Sequence, residues 1–166
     1  SRGWWYYFPL VLWYKMTLSE IILLGIAIFL AFCQRKRLPF FDYFLIIFPP
    51  SLFLGVSMFG HLDIGVRHIL IFFPFVYIFI SQLIQSKKIV IKIIVLILVL
   101  THILIGIWAW PNYIGYFNQI AGGVKGGREH LADSNLDWDQ DIKRLKLYLQ
   151  QNDIDKIYQC LWDGNS

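Results

Sequence analysis

The stretch from Ile89 to Trp110 is the strongest constraint in this sequence, because Ile93–Leu100 is an unbroken aliphatic run and Lys92 is the one internal charge. A segment of about 20 apolar residues is long enough to cross a bilayer. Lys92 stands near enough to the end to reach the interface by snorkelling. Three more segments meet the same test, so spans are expected at about 17–33, 40–59, 68–84 and 89–110. The second contains Pro49-Pro50 and the third Pro74, where each proline removes a backbone donor and is expected to kink its helix.

Composition agrees with a membrane protein: 57% of residues are hydrophobic and 16% charged, where soluble domains run near a quarter charged. Two cysteines and the lack of repeats exclude a disulfide scaffold, a collagen and a disordered chain. Charge is unevenly spread. Residues 1–111 carry nine Lys/Arg against three Asp/Glu, whereas residues 112–166 carry six against eight. A membrane part followed by a polar part fits that split, and a nucleic-acid partner does not. The chain opens Ser1-Arg2-Gly3 and stops just after a strand-like run, so an internal piece of a larger protein is expected.

Arg35, Lys36, Arg37, Lys87, Lys88 and Lys92 fall on one side of such a four-span arrangement; Arg2, Lys15 and Arg67 fall on the other. By the positive-inside rule the first side is cytoplasmic. The loop 60–67 and residues 112–166 then face outward. Trp4, Trp5, Trp13, Trp108 and Trp110 fall on that outer side, as an interfacial aromatic belt or as a platform for stacking carbohydrate.

The polar tail reads as the start of a small α/β extracytoplasmic domain. Gly122-Gly123 and Gly126-Gly127 suggest a flexible turn. Trp138, Ile142, Leu145 and Leu149 recur at helical spacing, which predicts an amphipathic helix over 138–151 capped by Asn135 or Asp137. Residues 156–162 read as a strand. The expected fold is therefore all-α multi-pass membrane helices followed by the beginning of an α/β domain.

The candidate site lies in the outward loop from Phe59 to His68. Arg67 offers planar forked donors that suit phosphate oxygens, and His61 and His68 add hydrogen bonds or a proton. In the simpler alternative Arg67 snorkels to the headgroups and pairs with Asp63 four residues earlier. Asp137-Trp138-Asp139 has a spacing that some sugar-nucleotide enzymes use for a divalent metal, but no third oxygen ligand accompanies it, so no metal site is assigned. The glycines around Lys125 lack the spacing of a phosphate loop. His102 lies inside the fourth span, where hydrogen-bonded packing or a polar cavity would each suit it. Cys33 and Cys160 fall on opposite sides of the membrane and do not pair.

Three stretches together resemble the bacterial dolichyl-phosphate-mannose–protein mannosyltransferase-like family, multi-pass glycosyltransferases of the GT-C architecture. They are Gly3-Trp4-Trp5-Tyr6-Tyr7-Phe8-Pro9; Gly65-Val66-Arg67-His68-Ile69-Leu70 with Pro74 following; and Pro111-Asn112-Tyr113-Ile114-Gly115-Tyr116-Phe117-Asn118 running through Ala121-Gly122-Gly123 to Asp133-Ser134-Asn135-Leu136-Asp137-Trp138-Asp139-Gln140-Asp141. Two positions depart from the family pattern: Asp139 stands where a glycine is usual, and Met16-Thr17 where Thr-Pro is expected after Lys15. The resemblance implies an enzyme of the bacterial cytoplasmic membrane. It would move a sugar from a polyprenyl-phosphate carrier, its donor substrate, to an acceptor on the outer face. It further implies that the catalytic carboxylate belongs to a part of the protein upstream of Ser1, and that Arg67 and His68 lie near the carrier phosphate. A non-catalytic carrier-binding or scaffolding protein is the main alternative; a transporter fragment, with polar groups at mid-membrane depth, is another.

Overall fold

A computed structural model describes residues 4–33, 39–59, 65–131, 135, 142–154 and 156–157. Every regular element among them is helical. Seven α-helices run in order: α1 (Tyr7–Lys15), α2 (Leu18–Cys33), α3 (Phe40–Phe59), α4 (Phe72–Ser81), α5 (Ile89–Ala109), α6 (Gly123–His130) and α7 (Ile142–Gln151). Short 3-10 helices occupy Val66–Ile69, Gln82–Gln85 and Gln119–Ala121. The chain forms two compact units, Ser1–Leu136 and Asp137–Ser166.

Two helices, Phe41–Phe59 and Ile89–Ala109, are long and apolar enough to cross a membrane, and a third is obtained if α1 and α2 form one broken span. The four expected spans are thus recovered only in part. The third one, over 68–84, is interrupted for a local reason. Pro74 is the third residue of α4, within the first turn, where a missing N–H costs no intrahelical bond. The helix therefore starts at Phe72 rather than His68, and the shorter apolar piece Phe72–Gln85 results. Pro49 and Pro50, by contrast, lie inside a continuous α3.

Helices α1 and α2 meet at 110°. Met16 is extended there (φ −66°, ψ 141°) and closes α1. Thr17 and Glu20 then start α2 with a reciprocal cap. The Thr17 N–H donates to Glu20 Oε2 at 2.7 Å, and the Glu20 N–H to Thr17 Oγ1 at 3.2 Å. The proline expected at position 17 would have lacked the first of these donors.

The core of the first unit gathers where this corner meets α4 and the segment after α5. Phe8, Val11 and Leu12 of α1, Leu23 and Ala27 of α2, and Val76 and Ile80 of α4 are buried, with Ile69, Leu83, Phe117, Ala121 and Leu131. Helix α5 contributes only Val95.

The glycine-rich stretch is not the turn expected from sequence. Asn118 caps the 3-10 helix Gln119–Ala121 by accepting the Ala121 N–H at 3.1 Å. Gly122 and Gly123 follow with φ of 76° and 65°, a region that glycine enters without a Cβ penalty. Helix α6 then packs so closely that a Cβ on Gly126 would meet the Ala121 carbonyl, and one on Gly127 the Phe117 ring.

In the second unit, α7 matches the described part of the predicted amphipathic helix, since Ile142, Leu145 and Leu149 line one groove. The expected α/β character is not seen. Among the described residues there is no strand, and Lys156 and Ile157 have no regular structure. The rest of the predicted strand lies outside the described residues.

Candidate functional site: a buried polar clamp beneath Arg67 and His68

Arg67 and His68 are both exposed and sit side by side on the 3-10 helix Val66–Ile69. His61 lies outside the described residues, as do Asp63, Asp137 and Asp139. Of the three expected phosphate-binding residues, the structure thus describes the two that are neighbours in sequence.

What holds this element comes from distant parts of the chain. Asn135 is fully buried. Its Oδ1 accepts the Val66 N–H at 3.2 Å, and its Nδ2 donates to Tyr7 Oη at 2.8 Å. Its backbone carbonyl accepts from Lys15 Nζ at 2.6 Å. The helix it was expected to cap is described from Ile142 onward, and residues 136–141, where the predicted start falls, lie outside the described residues.

Lys15 is the second tie. Its Nζ also donates to the Ile114 carbonyl at 2.6 Å and stands 3.7 Å from the centre of the Phe117 ring. A buried ammonium is tolerable only where such acceptors and a π-face replace its water. From sequence Lys15 was expected simply on the outer side.

Asn118 is the third tie and is also fully buried. Its Nδ2 donates to the Trp13 and Met16 carbonyls at 2.6 and 2.8 Å, and its N–H to the Tyr14 carbonyl at 2.9 Å. Tyr14 in turn stacks on His130 at 4.8 Å between ring centres. Tyr116 Oη is buried with no hydrogen-bond partner among the described residues. Burial, and secondarily the charge of Glu20, raises its pKa above the usual phenol value.

A second polar cluster links three helices at the start of α2. Tyr77 Oη of α4 donates to Glu20 Oε1. On the other carboxylate oxygen, Thr17 Oγ1 hydrogen-bonds Glu20 Oε2 at 3.1 Å. Thr17 Oγ1 is also 3.1 Å from His102 Nδ1 of α5, which lies 3.9 Å from Glu20 Oε2. Beside this cluster is a cavity of about 360 Å³ whose other walls are mainly aliphatic, including Leu23, Val95 and Val99. His102 is therefore hydrogen-bonded, as one sequence expectation had it, while the cavity it borders is mainly apolar rather than polar.

No protein-family model, curated protein or solved structure matches the chain.

Several residues of this arrangement were open to sequence reasoning and others were not. Thr17-x-x-Glu20 directly before an apolar run is a capping box, and an acid at the head of a span is a signal in itself. Asn118 and Asn135 lie within the stretches that carry the family resemblance, yet nothing in their spacing tells that their side chains reach back across roughly the whole length of the first unit.

Proposed function

We propose that this chain is the carrier-binding part of an integral-membrane glycosyltransferase that moves a sugar from a polyprenyl-phosphate carrier to an acceptor on the outer face of a bacterial cytoplasmic membrane. The four apolar segments cross the bilayer, with α2 and Phe72–Gln85 as its short spans. The basic residues at 35–37, 87, 88 and 92 are cytoplasmic. The exposed tryptophans Trp4, Trp5, Trp13, Trp108 and Trp110 lie in the headgroup layer of the outer face. The catalytic carboxylate belongs to the upstream part of the protein.

The observation that carries this reading is the meeting of the three stretches behind the family resemblance. Tyr7 from the first, Val66 from the second and Asn135 from the third join through one side-chain amide. Unrelated matches scattered along a chain have no reason to converge on one place. Above that junction, Arg67 and His68 present two adjacent polar heads at the membrane surface. A phosphate leaving group gains negative charge as the glycosidic bond breaks, and cationic donors stabilise it.

The test is donor kinetics of the full-length protein with Arg67→Ala and His68→Ala. Each variant is expected to raise KM for a polyprenyl-phosphate sugar, Arg67→Ala by about tenfold or more, the size of a lost charge-assisted hydrogen bond. Unchanged transfer in both would remove the assignment. Donor binding without any transfer by the full-length protein would favour the carrier-binding or scaffolding alternative.

A further inference from the structure

Residues three apart eclipse on a 3-10 helix, so Val66 and Ile69 share one side of the element that carries Arg67 and His68. Ile69 is fully buried and Val66 partly so, while Arg67 and His68 point away and are exposed. Packing of Ile69 thus anchors the far end. At the near end Val66 packs against the same core but is only partly buried. Gly65 precedes the helix with φ 87° and ψ 178° and supplies no side-chain cap. The first amides of a helix have no partner within it, and here the Val66 N–H goes to Asn135 Oδ1. Asn135 itself is pinned by Lys15 Nζ on its carbonyl and Tyr7 Oη on its amide nitrogen. No part of it meets solvent.

We propose that Asn135 is a positioning residue: by holding the Val66 amide it fixes the start of the 3-10 helix, so that Arg67 and His68 are presented together to a phosphate. This rests on the reading above, in which that phosphate belongs to the lipid carrier. Asn135 touches no substrate. Its effect reaches the ligand only through the backbone of residues 65–67. Preorganising two donors in this way removes an ordering cost that binding would otherwise meet.

The experiment uses the full-length protein in lipid nanodiscs, with a polyprenyl-phosphate sugar as donor and amide hydrogen exchange across residues 65–70. Asn135→Ala is expected to expose the Val66 amide to exchange and to raise donor KM by about tenfold, with kcat within about twofold. Asn135→Asp keeps the acceptor oxygen and is expected to keep both protection and KM within about threefold of the parent protein. Combining Arg67→Ala with Asn135→Ala is expected to raise KM by less than the product of the two single effects, because Asn135 acts partly through Arg67 and otherwise through His68.

Two results overturn the proposal: an unaltered Val66 amide in Asn135→Ala, or an exposed amide with unaltered KM while Arg67→Ala raises it. The second leaves the phosphate reading intact. Failure of that reading shows differently, as Arg67→Ala and His68→Ala without effect on KM. Should Asn135→Ala not fold, Val66→Pro deletes the same donor at a first helical position that suits proline. It is expected to raise KM similarly, and an unchanged KM there also overturns the proposal.

Discussion

Helix α5 and the corner between α1 and α2 are both poor in charge, yet they are held by opposite means. Along α5 the side chains point outward: Ile97 is 55% exposed and Leu104 65%, and Val95 is the one buried residue of the helix. At the corner, Lys15, Thr17, Glu20, Asn118 and Asn135 are all buried, and each makes a hydrogen bond of fixed geometry. A helix whose face suits hydrocarbon needs only apolar volume there, and many residues supply it. A buried amide needs its particular acceptors, because a donor or carbonyl left unpaired away from water costs free energy. Tolerance to substitution should therefore differ sharply between the two regions.

The most severe case is Asn118→Ala. It leaves the Trp13 and Met16 carbonyls without the donor that reaches them and the Ala121 N–H without its acceptor. At about 1–3 kcal/mol for each buried group left unsatisfied, a loss on the order of 3 kcal/mol or more is expected. That is a large share of the stability of an ordinary domain. Denaturant unfolding in detergent micelles measures it. A loss below about 1 kcal/mol would mean that the corner is no more specified than α5.

Gly127→Ala comes next. The new methyl group would enter the Phe117 ring, which is itself buried under Lys15. Overpacking of this kind costs about 1–3 kcal/mol. The same change at Gly25 of α2 meets nothing within 4 Å and is expected to be neutral or stabilising by up to about 1 kcal/mol. Thermal unfolding of the two variants side by side sharpens the contrast, and partial recovery of Gly127→Ala by Phe117→Leu would locate the cost in that ring.

This division also decides how much could be read from the sequence. Hydropathy follows from composition along one segment, so α3 and α5 were legible to within a residue or two. The same reading extended 68–84 into one span because it gave Pro74 no position within a helical turn. The glycines at 122–127 were read as a turn because local propensity carries no knowledge of the Phe117 ring and the Ala121 carbonyl, which need the space that glycine leaves. Arg67 and His68 were legible by residue type and place on the chain. Asn135 was weighed beside Asp137 only for a local role, as a helix cap, whereas its side chain also has partners in Tyr7 and Val66, 128 and 69 residues away. Long-range hydrogen bonds leave no periodic trace in a single sequence.

The smallest effect is expected on α5, and it tests the other half of the comparison. Leu104→Ala removes a side chain that is 65% exposed and so leaves no cavity inside the protein. The change in stability should stay within about 0.5 kcal/mol, as for substitutions away from packed sites. That small value has a specific cause that a second substitution isolates. Leu104→Arg alters no internal contact either, but it puts a cation on a face that would meet hydrocarbon, at a cost of up to about 3 kcal/mol in membrane insertion. Glycosylation-site mapping of membrane insertion reads the second effect, and unfolding in micelles the first. If both substitutions are silent, α5 does not meet lipid at this position. If Leu104→Ala is costly, a packing partner covers it, and the contrast with the polar corner no longer holds.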